Sequence, residues 1–327
     1  LDPFPIAGEH GIDLRRDLAG ERHLHEDQRL IRQCRMKEGE TTPVRPIHTA
    51  AQVVPFLEQL GAGMVLEPVT IVAMHCVPTV ARALGAGRAG AALEPTVTGG
   101  SLEVIAAGGT VAATMTGKGA VLSGCAPMVL GGAFADAFWV AAPHDSDTIL
   151  TRVARDQVQV DSFRLLDGQG AARVTFGAVH CAAADIVTGC ADAVAYGQDM
   201  SLVGHLAEMT GLIGALYRDT LDYVKLREQF GRPIAEFQGL QWILADMAIG
   251  AEATRLLYQK AAWNLDNGVR DPIVSSYAKA FGADAAMKIA VDAVQVFGGF
   301  GRRSSSQPRH PNEPDHSEVC FRQPLRS

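Results

Sequence analysis

The 327 residues are enough chain for two or three domains with several cores. Hydrophobic residues make up 47% and charged residues 20%, the balance of a globular protein rather than a disordered or fibrous one. A formal net charge of −7 gives no general attraction to nucleic acid or to an anionic membrane, though a phosphate-bearing ligand needs only a few local cations.

The six cysteines (Cys34, Cys76, Cys125, Cys181, Cys190 and Cys320) are scattered and include no C-x-x-C pair. Most sit among Ala, Val and Gly, which reads as buried reduced thiols rather than a disulfide framework. The first residues lack a basic-then-apolar leader. No apolar run approaches the roughly 20 residues that span a bilayer. A cytoplasmic protein without a membrane span is the expectation.

Residues 1–48 are rich in charge and poor in apolar periodicity, and read as a flexible segment. His23 and His25 beside Glu26 and Asp27 have no second cluster at ligand spacing, so a solvated face is expected there and no metal. Residues 49–90 turn helical, with Val53, Val54, Phe56, Leu57 and Leu60 at helix spacing, a Gly61-Ala62-Gly63 break, and a second helix from about Pro68 through Leu84. Residues 91–195 hold short β-rich runs parted by Gly, Asp and Pro, the pattern of a small barrel or sandwich. Gly117-Lys118-Gly119 reads as a hairpin turn, and Ala135–Val140 as a strand entering the core.

Residues 196–301 read as a helical bundle. The first helix has Leu202, Leu206, Met209, Ile213, Leu216 and Tyr217 on one apolar face. The second follows Pro233, carries Leu240, Ile243, Leu244, Met247, Leu256 and Leu257, and ends at Asn267-Gly268, where glycine suits a left-handed cap. The third opens with Asp271 as N-cap and Pro272 in its first turn, carries Tyr277, Phe281, Met287, Val291, Val294 and Phe297, and breaks at Gly298-Gly299. Residues 302–327 have few apolar residues and no helical period, and read as disordered.

Between the first two bundle helices lies Leu226–Met247, LREQFGRPIAEFQGLQWILADM, and the third ends in VQVFGGFG at 294–301. Taken alone, Arg227 reads as a helix-end cation and Phe230 as core. Together, at this spacing, they resemble the C-terminal domain of the acyl-CoA dehydrogenases, and the resemblance extends over about 52–301. It implies an α+β fold of N-terminal helices (here shortened), a middle β-barrel domain and a C-terminal helical bundle. The flanking segments differ from the family and read as a shifted reading frame or truncation.

The resemblance further implies FAD as cofactor, with Arg227 reaching the pyrophosphate across a subunit interface, Phe230 beside the adenine and Gln238 touching the flavin. Gln295, Gly298 and Gly299 would lie near the adenine end. It implies an acyl-CoA substrate undergoing α,β-dehydrogenation, an electron-transfer flavoprotein as acceptor, and a homo- or hetero-oligomer (dimer or tetramer). Two positions depart from the family. Ala92-Leu93-Glu94-Pro95 stands for its Leu-Thr-Glu-Pro flavin loop without the threonine, and Met128 and Leu130 stand for its Trp-x-Thr strand. The Tyr-Glu-Gly-Thr segment that normally brings the carboxylate base is missing, which leaves Ser201, His205 and Glu208 on the helix after the β domain. Glu208 is the one candidate base, and a solvated helix glutamate is its plainer reading. Glu313, Asp315 and Glu318 in the tail weigh less still. A non-catalytic partner subunit and a degenerate inactive member stay open as alternatives.

Overall fold

The structure, a computed structural model, describes residues 50–299. The expectations for 1–48 and for the tail, including His23, His25, Cys34, Glu313, Asp315, Glu318 and Cys320, lie outside the described residues.

Helix α1 (Ala50–Ala62) comes first. After a short turn, a π-helical segment (Ile71–Cys76) runs directly into α2 (Val77–Val97). Gly85 breaks α2 in the left-handed region, φ 69°, and divides it into two rods. The helix therefore continues to Val97, beyond the residue-91 start expected for the strand region. Ala92-Leu93-Glu94-Pro95 lies inside it, with Leu93 buried. The flavin-loop reading of those four residues is corrected: they are the last turns of a helix, and the first strand starts only at Glu103.

Among the described residues ten strands follow: β1 (Glu103–Ala107), β2 (Ala112–Thr116), β3 (Gly119–Leu130), β4 (Ala137–His144), β5 (Asp147–Ala154), β6 (Gln159–Arg164), β7 (Gly170–Ala182), β8 (Ile186–Val187), and the two-residue β9 (Glu228–Gln229) and β10 (Arg232–Pro233). The first eight form two four-stranded sheets, ordered β1-β4-β5-β8 and β2-β3-β7-β6. Val104, Leu122, Phe138, Val140, Ile149 and Val174 fill the space between them. The β2–β3 hairpin turns at Gly117-Lys118, as the glycine pattern indicates.

One buried charge ties the first sheet together. Glu103 is fully buried, and accepts from Trp139 Nε1 at 2.7 Å and from Arg152 Nη2 and Nε at 2.6 and 2.9 Å. These three donors come from β4 and β5, so the carboxylate is compensated by charge and hydrogen bonds together.

The bundle consists of α3 (Ala191–Leu226), α4 (Gln238–Asp266) and α5 (Pro272–Phe297). Asp271 caps α5 by accepting from the N–H groups of Ile273 and Val274, and Gly268 takes φ 70° after α4. Outside α3, one apolar face of α5 turns inward through Ala278, Gly282, Ile289, Ala293 and Val296. Tyr277, Met287 and Val291 of the same helix are more than half exposed. The helix carries two apolar faces, and the described residues cover only one.

The long helix α3 organises the rest. Gly197, Gly204 and Gly211 repeat every seven residues and stay on one face. A Cβ on Gly197 would land on Thr79 Oγ1, and one on Gly211 would land on the carbonyl oxygen of Glu58. On Gly204 it would stand 2.8 Å from Thr70 Cγ2. Gly61 of α1 answers from the other side, pressed on the carbonyl of Glu208. The pair α1 and α3 thus pack backbone to backbone. Introducing a methyl there forces the helices apart, a change of about 1–3 kcal/mol. Gly211→Ala is expected to lower stability by at least that amount in urea unfolding, whereas Gly239→Ala, in open space on α4, should be neutral or stabilise by up to about 1 kcal/mol.

Candidate functional site

The Arg227 turn is a two-residue ladder between α3 and α4. Arg232 pairs with Gln229 and Pro233 with Glu228, and Ile234 N donates to Arg227 O at 2.8 Å. At its tip Phe230 has φ 57° and Gly231 φ 77°, both left-handed. A bulky residue at positive φ is an uncommon arrangement. Phe230 is 94% exposed, stacks edge-on against Phe237 at 6.1 Å, and is not core. Arg232 lies over the Phe237 ring at 4.4 Å, which fixes the turn from outside. Arg227 itself is exposed, and among the described residues its guanidinium has no hydrogen-bond or ion-pair partner.

Gln238, the first residue of α4, is exposed beside this turn. Gln295, Gly298 and Gly299 are exposed at the end of α5. Tyr223 and Phe297, 4.6 Å apart, bring the ends of α3 and α5 together over a cluster that includes Ile234, Val296 and Leu244. All six residues expected to hold a cofactor therefore sit at one end of the bundle, facing outward. Gly298 leaves the helix at φ 60°, which allows close backbone approach.

Glu208 is elsewhere. It lies 19 residues back along α3, about 28 Å away at 1.5 Å per residue. Its carboxylate is half-buried and accepts from Thr70 Oγ1, just ahead of the π-helical segment. Burial pushes its carboxyl up, while Thr70 and His205 pull it back. The solvated reading of Glu208 does not match this setting.

Two histidines that the sequence did not mark as a pair accompany it. His75 stands in the π-helical segment, a helix form often found at functional positions. Its Nε2 is buried without a partner among the described residues, and burial first, then His205, lowers the group to about 4. His205 Nδ1 lies 2.7 Å from the carbonyl oxygen of Ser201 and 3.4 Å from its hydroxyl. Only tertiary packing makes this cluster, because nothing in the local sequence announces a π turn. No group of three or more metal-ligating side chains occurs among the described residues. No helix of the described residues is long and apolar enough to cross a membrane.

The cysteines Cys76, Cys125, Cys181 and Cys190 are free thiols, the first and last buried and the other two half-buried. At the strand positions expected to face a flavin, Met128 is exposed and Leu130 half-buried on β3. Neither side chain supplies a strong donor.

The His75 shift has a definite sign. An unfolded imidazole takes its proton near 6.5 and the folded one only near 4, so between those values the unfolded chain binds more protons and stability falls as pH drops. The loss approaches about 3 kcal/mol at most. Glu208 acts oppositely, since a raised carboxyl favours the folded state as pH falls. Unfolding of wild type and His75→Gln at pH 7 and pH 5 isolates the histidine: the variant is expected to lose markedly less stability on acidification.

Residues 196–310 match the family model described as the acyl-CoA dehydrogenase C-terminal domain. An acyl-CoA dehydrogenase of Bacillus subtilis (strain 168) is 46% identical over 99 residues, 30% of this chain and 26% of that protein, so the match spans about a quarter of that relative's length. The ChsE4-ChsE5 complex from Mycobacterium tuberculosis superposes with TM-score 0.71 at 28% identity, over 77% of this chain and 71% of that one. Butyryl-CoA dehydrogenase from Megasphaera elsdenii gives TM-score 0.69 at 22% identity, over 78% of this chain and 73% of that one. A matched bundle sequence and a shared order of helices, paired sheets and bundle agree: residues 196–310 are similar to the acyl-CoA dehydrogenase C-terminal domain, and the described residues share the fold of the acyl-CoA dehydrogenases.

Proposed function

We propose that this chain binds FAD at a site shared between subunits and removes the α and β hydrogens of an acyl-CoA thioester. The observation that supports this most is the outward-facing set at the bundle end, with an arginine that none of the described residues pairs, a fully presented aromatic ring and two glycines. Pyrophosphate needs a bidentate cation with free N–H groups, and Arg227 offers one. Phe230 offers a flat apolar face for adenine, and Gln238 an amide for the ring system. Met128, exposed on β3, offers a polarisable contact to a planar ring. The residues present thus fit a flavin dinucleotide, with Leu130 withholding one hydrogen bond at the ring.

When bound, FAD supplies the acceptor for the hydride leaving the β-carbon. The chain's own residues would bind the cofactor's phosphates, hold the thioester and take up the α-proton. In this reading the electrons pass on to an electron-transfer flavoprotein.

The separation of about 28 Å between Arg227 and Glu208 along one helix supports sharing. A bundle end serving the phosphates and a mid-helix cluster serving the acyl group fit two chains, each completing the other's site. An outward stripe on α4 fits such pairing. Trp242, Ile249, Leu256 and Trp263 repeat every seven residues and are 55% to 68% exposed. Ile273, Tyr277, Met287 and Val291 add a second exposed row on α5. Contiguous apolar surface of this kind marks a protein–protein contact.

Two measurements test the reading. Arg227→Ala should weaken flavin retention by about 10- to 100-fold, seen as lost flavin absorbance after gel filtration. Unchanged flavin content in that variant would remove Arg227 from the site. Ile249→Glu, which places a charge in the stripe, should shift the protein to a lower mass in sedimentation velocity while leaving helix content intact.

A further inference from the structure

We propose that His205 is the base that takes the α-proton of the thioester. This rests on the acyl-thioester reading above and adds to it the residue that the missing carboxylate segment leaves unassigned.

The tautomer follows from one hydrogen bond. His205 Nδ1 lies 2.7 Å from the carbonyl oxygen of Ser201, one turn earlier. A carbonyl oxygen can only accept, so Nδ1 carries the hydrogen and donates it. The neutral ring then has its lone pair on Nε2, which has no hydrogen-bond partner among the described residues. An acceptor lone pair fixed in direction on a half-buried ring is the equipment of a general base.

The surroundings suit a ring that must gain and lose a positive charge. Glu208 sits one turn further along α3, near enough that the charge of His205 bears on its carboxyl, so a protonated imidazole finds a carboxylate close by. His75 faces the same region from the π-helical segment and stays neutral, so it does not oppose protonation of His205 with a second charge. Gly204, the residue before His205, packs against Thr70 and Met74, which holds the ring's backbone against the segment bearing His75. Glu208 is less suited to the task, because Thr70 Oγ1 already occupies one of its oxygens.

The step balances without an oxidant. The C–H bond at the α-carbon breaks, its electron pair moves onto the thioester oxygen as an enolate, and a new N–H bond forms at Nε2. Its reversal in deuterium oxide places deuterium at the α-carbon.

Full-length protein incubated with butyryl-CoA in deuterium oxide, followed by mass spectrometry, reads this step apart from oxidation. Wild type should incorporate α-deuterium. His205→Gln and His205→Asn should each slow incorporation by roughly 100-fold or more. Both variants should keep wild-type flavin content and melting temperature, Asn because its amide can still donate to the Ser201 carbonyl. Exchange within threefold of wild type in either folded variant overturns the assignment while leaving the thioester reading in place. Absence of exchange in wild type also overturns it, and calorimetric binding of butyryl-CoA then decides the thioester reading separately. Should both variants unfold, selective ¹⁵N-histidine NMR of wild type decides: a His205 ring protonated on Nε2 rather than Nδ1 overturns the proposal.

Discussion

Backbone-to-backbone contact between α3 and the helices preceding the sheets is the constraint on which the remaining architecture rests. Ordinary helix pairs stand 8–10 Å apart because side chains hold them there. Here Gly197, Gly204 and Gly211 on one side and Gly61 on the other remove those spacers. The gain is dispersion contact along two rods and a tightly defined register. That register decides which side chains meet. It brings Thr70 to Glu208 and sets His75 across from His205, and it leaves room for Tyr258 and Arg255 of α4 to reach Glu58 of α1.

The π-helical segment is best understood within that constraint. A π turn widens the helix and weakens its own hydrogen bonding, so it persists only where neighbours fix it. Thr79 Oγ1 donates to the His75 carbonyl at 2.7 Å, and Gly197 lets α3 close over that same carbonyl. The imidazole of His75 is thereby lodged between helices with a buried nitrogen that none of the described residues pairs. Buried orphans of this type are infrequent in folded proteins and concentrate where chemistry or binding occurs.

Much of the fold could be read in the sequence because its signals are local. Asp271-Pro272 starts a helix, Asn267-Gly268 ends one, and Gly117-Lys118 turns a hairpin, each through the conformational preference of a few residues. The Arg227 turn was legible for the same reason. Ala92–Pro95 misled because a four-residue likeness carries no information on whether its backbone is helical. Periodicity found the apolar residues of α4 and α5, yet Leu256, Tyr277, Met287 and Val291 among them are exposed. Spacing shows that a row is apolar without showing which partner covers it. The histidine pair had no local signature at all: its members are 130 residues apart and meet only through the glycine contacts.

The 36-residue α3 touches the outward-facing Arg227 turn at one end and the His205–Glu208 cluster in its middle. A rod of that kind acts as a ruler. Because its rise per residue is fixed, inserting or deleting even one residue between Glu208 and Leu226 would rotate one group of side chains by about 100° relative to the other. Exchange of side chains in this stretch leaves that phase intact, whereas a change of length does not. Its length is held by the need to keep two separated faces in phase.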